Sequence, residues 1–205
     1  MAATAMLTPQ QVKVAIRGDQ ELALLDLREE GEFAAQGHLL FAVPAPLSRL
    51  ELVIDGLVPR RTTRIILVDG DGTLLERGSS VLAGCGYSDV SALAGGTGAW
   101  AAAGFEVFTG TNVPSKAFGE VVEVETGTPH LSPREVAQLQ AEGADLVVLD
   151  SRPIGEFATM SIPGGIDCPG AELVHRARQA VPDPGTLVVV NCAGRTRSIL
   201  SLIHI

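Results

Sequence analysis

One stretch of this chain occurs twice, and that repeat limits the available folds more than any other feature of the sequence. The segment from Leu7 to Phe33 aligns without a gap with the segment from Leu131 to Phe157, 124 positions further on. A chain of 205 residues has room for two domains of about 100 residues each. The repeat therefore predicts two tandem domains of the same fold.

Both copies open with the same signal for the start of a helix. Thr8 and Ser132 are favoured N-cap residues, and each is followed by a proline at the first helical position. Gln11 and Glu135 stand three residues after these caps, which is the spacing of a capping box. A short helix is predicted at the beginning of each copy.

Short apolar runs follow these helices. The runs at 22–25 and 146–149 are too short for helices and are bounded by polar residues, as buried parallel strands are. A second run in each copy, at 64–68 and 186–190, leads into a glycine-containing loop. The order of strand, loop and helix predicts an α/β fold with a mostly parallel sheet flanked by helices. Sites are then expected at the carboxyl ends of the strands.

Proline and glycine separate the two copies. The stretch from Phe108 to Pro129 has no sustained helical period, and it is interpreted as a linker that packs on the surface. The predicted organisation is a first domain over residues 1–110, a linker over 111–129 and a second domain over 130–205.

The second copy has a cysteine at the end of its second predicted strand. Cys192 is followed by a short loop and then by an apolar run, which predicts a helix. Unpaired N–H groups and the helix dipole favour an anion at such a position. Arg195 and Arg197 add positive charge, so the pKa of this thiol is expected below its free value of about 8.5. Gly194 is expected to let the loop curl without a Cβ clash.

Charge and cysteine content exclude several classes of partner. Fifteen Lys and Arg against 24 Asp and Glu give a net charge of −9, so nucleic acid and anionic membranes should be repelled. The sequence shows neither a signal peptide nor an apolar run long enough to span a membrane. Three cysteines without a CxxC pair fit neither a disulfide scaffold nor a zinc ribbon. A cytoplasmic protein is predicted.

Five short patterns occur along the chain: LLDLREEGEF from Leu24, VLDSRPIGEF from Val148, Gly37-His38-Leu39, Leu93-Ala94-Gly95-Gly96 with Trp100, and the six-residue loop from Cys192 to Arg197. Together they resemble the rhodanese (thiosulfate sulfurtransferase) family. The resemblance covers nearly the whole chain. It implies two tandem rhodanese-like domains, each a mostly parallel sheet flanked by helices.

The resemblance also implies a sulfurtransferase mechanism. The Cys192 thiolate would attack thiosulfate or another sulfane donor, carry the sulfur as a persulfide and pass it to a thiol or to cyanide. The implied partners are thus a small anionic sulfur donor and a thiol or cyanide acceptor, with no metal and no organic cofactor. The loop residues implied to bind the persulfide and the donor are Ala193, Gly194, Arg195, Thr196, Arg197 and Ser198.

The first copy departs from the family pattern at its loop. It has Asp69 at the position of the nucleophile and Leu74 at the position of the closing arginine. A carboxylate cannot carry sulfur, and Asp71 adds a second negative charge that would repel thiosulfate. The first domain is therefore expected to be inactive.

The second copy departs from the pattern after its loop. Only 13 residues follow Cys192, whereas the first copy continues for 38 residues from Asp69 to Val107. The Gly-Gly segment and the final helix have no counterpart, so the second domain is expected to be incomplete at its C-terminal side. Exposed apolar surface then predicts a homodimer, a domain swap or lowered stability.

Other candidate groups are more simply explained as structural. Cys85 and Cys168 are interpreted as small buried hydrophobes, and His38 as a partner for backbone groups at a turn. The Asp-x-Arg pairs that begin at Asp26 and Asp150 recur in both copies, the inactive one included, and are expected to fix the fold. The remaining histidines lack the spacing of metal ligands: His130, His175 and His204.

Two other functions stay open. One is a cysteine-dependent phosphatase or arsenate reductase. The loops of such enzymes have the arginine six positions after the cysteine, where this chain has Ser198, and Arg197 stands one position earlier. The other is a rhodanese-like module that binds a partner or carries sulfur without turnover. A gain of one sulfur atom at Cys192 after incubation with thiosulfate, followed by discharge to cyanide, distinguishes the transferase from both.

Overall fold

The computed structural model of the chain describes residues 4–204. The chain forms two compact units, the first ending at Val113 and the second beginning at Pro114. Each unit is an α/β structure with a parallel sheet and flanking helices, as predicted. The boundary between the units falls inside the segment 111–129 that the sequence predicts as a linker.

The first unit contains a five-stranded sheet in the order β1-β5-β4-β2-β3, with all neighbours parallel. Its elements are β1 (Ala5–Leu7), α1 (Pro9–Arg17), β2 (Leu22–Asp26), α2 (Glu30–Gln36), β3 (Val43–Pro44), a 3₁₀ turn (Leu47–Arg49), α3 (Leu50–Leu57), β4 (Arg64–Val68), α4 (Leu75–Gly84), β5 (Val90–Leu93) and α5 (Gly96–Ala102). The predicted strands at 22–25 and 64–68 are confirmed.

The core of the first unit lies on both faces of this sheet. Ile65 and Leu67 of β4 point into one apolar cluster, while Ile66 and Val68 point into the other, as the alternation of a strand requires. All four side chains are completely buried. A central parallel strand covered on both faces in this way explains the continuous apolar run in the sequence.

The second unit contains a three-stranded parallel sheet in the order β7-β6-β8. Its elements are α6 (Val113–Thr126, which starts at the last residue of the first unit), α7 (Pro133–Ala141), β6 (Leu146–Asp150), α8 (Ile154–Thr159), β7 (Ile166–Asp167), α9 (Gly170–Ala180), β8 (Leu187–Asn191) and α10 (Thr196–Leu202). The predicted strand at 146–149 is confirmed, and the one at 186–190 lies one residue later in the structure.

Both predicted capping boxes are present. The Thr8 side chain accepts from the N–H of Gln11, and the Gln11 side chain accepts from the N–H of Thr8. Ser132 and Glu135 exchange the same two hydrogen bonds at the start of α7. The two copies thus set the start of their first long helix by the same local means.

The recurring Asp-x-Arg pairs form the same buried clamp in both units. Arg28 donates from Nε and Nη2 to the two carboxylate oxygens of Asp26, at 2.9 and 2.6 Å, and also donates to the carbonyl of Gly37. Arg152 does the same with Asp150, at 2.9 and 2.7 Å, and donates to a carbonyl after α8. Each clamp ties a strand end to the chain that follows the next helix, which is the structural role expected of it.

The segment expected to be an irregular linker is largely helical. Residues Val113–Thr126 form α6, which at 14 residues is longer than any other helix in the described part of the chain. Gly119 and a run of valines argue against a helix on local propensity alone. Packing decides the matter instead, since Gly119 is buried against the start of α10.

The sheet of the second unit is less covered than that of the first. Within residues 4–204, β8 pairs only with β6, whereas its counterpart β4 pairs on both sides, with β2 and β5. Leu187 is 44% exposed, and the three valines that follow it are half-buried. The apolar surface that the sequence predicts for the second unit is therefore present along β8.

Candidate active site

Cys192 stands directly after β8, at the carboxyl end of the sheet, where the sequence places it. Its side chain is half-buried, and the backbone N–H groups of Ser198, Gly194 and Arg197 face the sulfur and favour its ionised form. The Ser198 hydroxyl lies 3.6 Å from Sγ and donates to the carbonyl of Arg195. The sulfur therefore lies within a ring of donors rather than in the apolar interior.

This ring determines the ionisation of the thiol. Burial alone would raise the pKa of Cys192, but hydrogen bonds from Ser198, Gly194 and Arg197 favour the thiolate, and the net pKa lies below its ordinary value. Burial without such donors raises the pKa of Cys168, which is completely enclosed in the core. Of these two thiols, only Cys192 has the surroundings of a nucleophile.

Arg197 lies beside the thiol and is held by a carboxylate. Its two terminal nitrogens each lie 2.9 Å from one oxygen of Glu156, in a bidentate pair. This pair raises the pKa of Arg197 and lowers that of Glu156, and the nearby Cys192 contributes to the former through charge and a hydrogen bond. The guanidinium thus connects α8 to the sulfur.

Arg195 points elsewhere than the sequence suggests. Its Nη1 lies 3.1 Å from Oε2 of Glu123 on α6, and its Nη2 lies 4.0 Å from Oε1 of Glu120. Its backbone is left-handed, with φ of 66°. The expectation that Gly194 provides the unusual backbone conformation is wrong, because a Cβ at Gly194 would meet nothing within 4 Å and the positive φ falls on Arg195.

The remaining loop residues are placed around this centre. Thr196 begins α10, and its N–H donates to the carbonyl of Gly194. Ala193 and Gly194 are exposed at the rim of the loop. The structure therefore brings Arg197 and Ser198 to the sulfur by their side chains, and Gly194 by its backbone. Arg195 and Thr196 face α6.

A cavity of about 870 Å³ opens in front of Cys192. Its walls are mainly apolar and include Val188, Val190 and Ile162, while Cys192, Arg195 and Ser198 provide its polar side. This space is far larger than one small oxyanion needs, and the thiol is accessible from it.

The equivalent loop of the first unit follows β4 and holds a carboxylate. Asp69 is completely buried; its Oδ1 accepts from the N–H of Gly72 at 2.6 Å and its Oδ2 from the N–H of Leu74 at 2.8 Å. Burial raises the pKa of Asp69 above its ordinary value, and the neighbouring charges of Asp71 and Asp26 add to this. The loop amides of the first unit are thus occupied by a side chain of the same loop.

The residues interpreted as structural have such surroundings. Cys85 is the C-cap residue of α4 and packs against the core, and Cys168 is fully buried. The ring nitrogens of His38 lie 2.8 Å from the carbonyl of Leu39 and 3.1 Å from that of Gly110, and the ring stacks on Phe33. Residues 4–204 contain no group of side chains arranged for a metal ion.

The sequence-based reasoning missed the carboxylates that hold the loop arginines. Glu156 belongs to the repeated segment, and its recurrence with Glu32 was a usable signal. Glu123 and Gly119 lie in the segment taken for a linker and carried no signal of their own.

In the described residues, no helix is both long and apolar enough to cross a membrane.

Comparison with known proteins gives a direct match for the first unit. The family model of the rhodanese-like domain matches residues 8–103. The crystal structure of thiosulfate sulfurtransferase from Pseudomonas aeruginosa has 52% sequence identity and a TM-score of 0.90, over 96% of this chain and 37% of that chain. This chain thus spans little more than a third of the length of that protein.

More distant structures add no functional argument. A rhodanese-related protein of Thermoplasma volcanium is 20% identical with a TM-score of 0.42, over 51% of this chain and 97% of its own. A rhodanese-like domain protein of Staphylococcus aureus is 20% identical with a TM-score of 0.43, over 53% of this chain and 100% of its own. No curated protein matches the chain.

Proposed function

We propose that this chain is a rhodanese-like protein, as the match of residues 8–103 to the rhodanese-like domain indicates, and that its second unit is a sulfurtransferase that works through a persulfide on Cys192. The observation that supports this most strongly is the position of Cys192 directly after β8, with its sulfur 3.6 Å from the Ser198 hydroxyl and with loop N–H groups that lower the pKa of the thiol. The thiolate, which the lowered pKa favours, is the form that attacks a sulfane sulfur. The crystal structure of a thiosulfate sulfurtransferase at 52% identity points to the same reaction class.

The proposed reaction has two displacement steps and needs no external oxidant or reductant. The Cys192 thiolate attacks the outer sulfur of thiosulfate or a similar anionic donor, the new sulfur–sulfur bond forms, and sulfite leaves with the electron pair of the broken bond. Cyanide or a thiolate then attacks the outer sulfur of the persulfide. The Cys192 thiolate leaves, and thiocyanate or a new persulfide is released.

The loop residues have distinct proposed roles. The N–H groups of Gly194, Arg197 and Ser198 stabilise the negative charge on the persulfide as they do on the thiolate. The Arg197 guanidinium, beside the sulfur, binds the departing sulfite, and Arg195 attracts the anionic donor. Ala193 and Thr196 shape the rim without reacting, and the chemistry itself uses neither a metal nor an organic cofactor.

Mass spectrometry of the intact protein tests this function directly. Incubation with thiosulfate should add one sulfur atom to the wild type and to Cys168→Ala, and none to Cys192→Ala. Cyanide should remove the added sulfur with release of thiocyanate. A sulfur atom that is gained but not discharged on the timescale of turnover would indicate a carrier module, and hydrolysis of a phenyl phosphate without sulfur uptake would indicate a phosphatase.

The first unit is proposed to be non-catalytic. Its loop amides already bind the Asp69 carboxylate, which has no sulfur to offer and leaves no place for a donor anion. Cys192→Ala should therefore abolish the sulfur transfer of the whole chain although the first unit is unchanged.

Self-association through the second unit is a further proposal. The exposed flank of β8 has an unpaired edge within the described residues, and its side chains are apolar. Such an edge pairs readily with a strand of another chain. Size-exclusion chromatography with light scattering should detect a dimer or a larger species, and a stable monomer at high concentration would refute the association.

The cytoplasm is the proposed location, because a reducing compartment keeps Cys192 as a thiol between turnovers. All three cysteines are free in the structure. Cell fractionation with an antibody to the protein tests this location, and recovery from an oxidising compartment would contradict it.

A further inference from the structure

Helix α6 lies directly against the loop that carries Cys192. A Cβ added at Gly119 would come within 2.8 Å of Cγ2 and 3.2 Å of Cα of Thr196, the first residue of α10. One turn further along α6, the carboxylate of Glu123 lies 3.1 Å from Arg195. The helix thus touches both the backbone of the loop and the side chain of one of its two arginines.

The backbone of Arg195 adopts a conformation that is unusual for a residue with a Cβ. Its φ of 66° lies in the left-handed region, which is unfavourable for a residue with a Cβ. At the equivalent position of the first unit's loop stands Gly72, with φ of 99°, for which the region is accessible. The second unit thus has a residue with a Cβ where the first unit's loop has a glycine.

The two loop arginines differ in how firmly they are held. Arg197 forms two hydrogen bonds of 2.9 Å with Glu156 and also contacts Cys192. Arg195 is 65% exposed, and its Nη1 alone contacts the two oxygens of Glu123, at 3.3 and 3.1 Å. An exposed pair of this kind is weak, and a dianion that can offer two oxygens competes with it well.

We propose that Glu123 limits the affinity of the site for an anionic sulfur donor, and that the close approach at Gly119 holds it against the loop. It occupies Arg195 in the free protein, and an anionic donor must displace it to bind. Glu123 therefore lowers the affinity for every anionic donor that binds to Arg195. This inference rests on the proposed sulfur transfer.

Substitution of Glu123 gives the first test. Glu123→Gln should lower the KM for thiosulfate by about two- to fivefold, as release from one exposed ion pair allows, with kcat unchanged. Glu125→Gln is the matched control: it removes the same charge from an exposed position of α6, and Glu125 has no ion pair within the described residues. Its KM should stay that of the wild type.

A double substitution isolates the contact. In an Arg195→Gln background, Glu123→Gln should no longer change the KM for thiosulfate, because the guanidinium it would release is gone. An unchanged KM in Glu123→Gln, or an equal decrease in Glu125→Gln, would overturn the inference. If the wild type itself takes up no sulfur from thiosulfate, the proposed function fails first, and these KM values do not exist to be compared.

The packing at Gly119 has its own test, which does not depend on sulfur transfer. If α6 lies on the loop, Gly119→Ala forces Cβ against the backbone of Thr196 and lowers the melting temperature, even though alanine is the better helix former. Gly56→Ala in α3, where a Cβ would meet nothing within 4 Å, should not lower it. A raised melting temperature in Gly119→Ala would show that α6 does not pack there and would overturn the proposal.

Discussion

The loop after β4 and the loop after β8 occupy the same position in their units and hold different anions. In the first, the N–H groups of Gly72 and Leu74 donate to the Asp69 carboxylate. In the second, N–H groups of the loop favour the ionised form of the Cys192 sulfur. The comparison teaches that the backbone of this loop binds negative charge whichever side chain supplies it. In the proposed function, the first residue of the loop decides whether that charge can react.

The two loops also differ in what surrounds the anion. Burial and the charges of Asp71 and Asp26 raise the pKa of Asp69. The loop from Asp69 to Leu74 contains no cationic residue that would stabilise the carboxylate. Burial acts on Cys192 in the same direction, but there the donors outweigh it and the pKa of the thiol falls. Arg197 stands beside the sulfur, and its counterpart in the first loop is Leu74.

The largest effect is expected from making the second loop resemble the first at its first residue. Cys192→Asp should lower kcat for sulfur transfer by at least about 1,000-fold, because the nucleophile is lost while the loop amides keep an anionic partner. Thiocyanate formation measures the loss, and circular dichroism checks the fold. The reciprocal Asp69→Cys in a Cys192→Ala background should not restore activity, since its loop has no arginine. Restored turnover would show that a thiol among the loop N–H groups is sufficient for sulfur transfer without an arginine.

Exchange of the closing residue should have the next largest effect. Arg197→Leu copies Leu74 and should lower kcat/KM for thiosulfate by about 100-fold, as loss of one charged donor at a reacting centre does. Glu156→Gln keeps the guanidinium and should cost less than Arg197→Leu in the same assay. Wild-type kcat/KM in Arg197→Leu would remove this residue from the proposed site.

A smaller difference is expected between two thiols of the second unit. The lowered pKa of Cys192 means that its thiolate fraction, and hence its rate of alkylation by iodoacetamide, reaches a plateau at lower pH than for a free thiol. The raised pKa of Cys168 shifts its alkylation to higher pH. Peptide mapping after labelling at pH 7 should find Cys192 modified well before Cys168. Equal labelling in the folded protein would contradict the assigned surroundings.

The smallest effect concerns stability. Arg195→Gly copies Gly72 and should raise the free energy of unfolding by up to about 1 kcal/mol, because glycine adopts the left-handed conformation without a Cβ penalty. Arg195→Ala loses the same guanidinium but keeps the penalty, and it serves as the control. Denaturant titration measures both, and a gain in Arg195→Ala equal to that in Arg195→Gly would show that the side chain, not the backbone, is unfavourable.

Much of this fold could be predicted from the sequence because the signals for its elements are local. The capping boxes at Thr8 and Ser132 are set by residues three positions apart, and the strands from Leu22 and Leu146 are continuous apolar runs. The position of Cys192 followed from the strand before it. The two-residue strands β3 and β7 were not predicted, because runs of that length carry no period.

What the sequence did not reveal depends on contacts between distant residues. Glu156 and Arg197 are 41 positions apart, and only the fold brings α8 to the loop. Helix α6 is stabilised by the approach of Gly119 to Thr196, which no local propensity encodes. The positive φ of Arg195 is an exception. Alignment of the two loops places Arg195 at the position of Gly72, and this glycine indicates a positive φ at that position, whereas the sequence analysis assigned the unusual conformation to Gly194.

The paired clamps have a consequence for how such chains change over generations. Each closes between an aspartate, the arginine two positions later and a carbonyl just beyond the next helix, as Asp26, Arg28 and Gly37 do. None of these atoms belongs to the loop that carries Asp69 or Cys192. A substitution in that loop therefore leaves the clamp intact, and the clamp holds the strand end in place whether or not the loop carries a thiol.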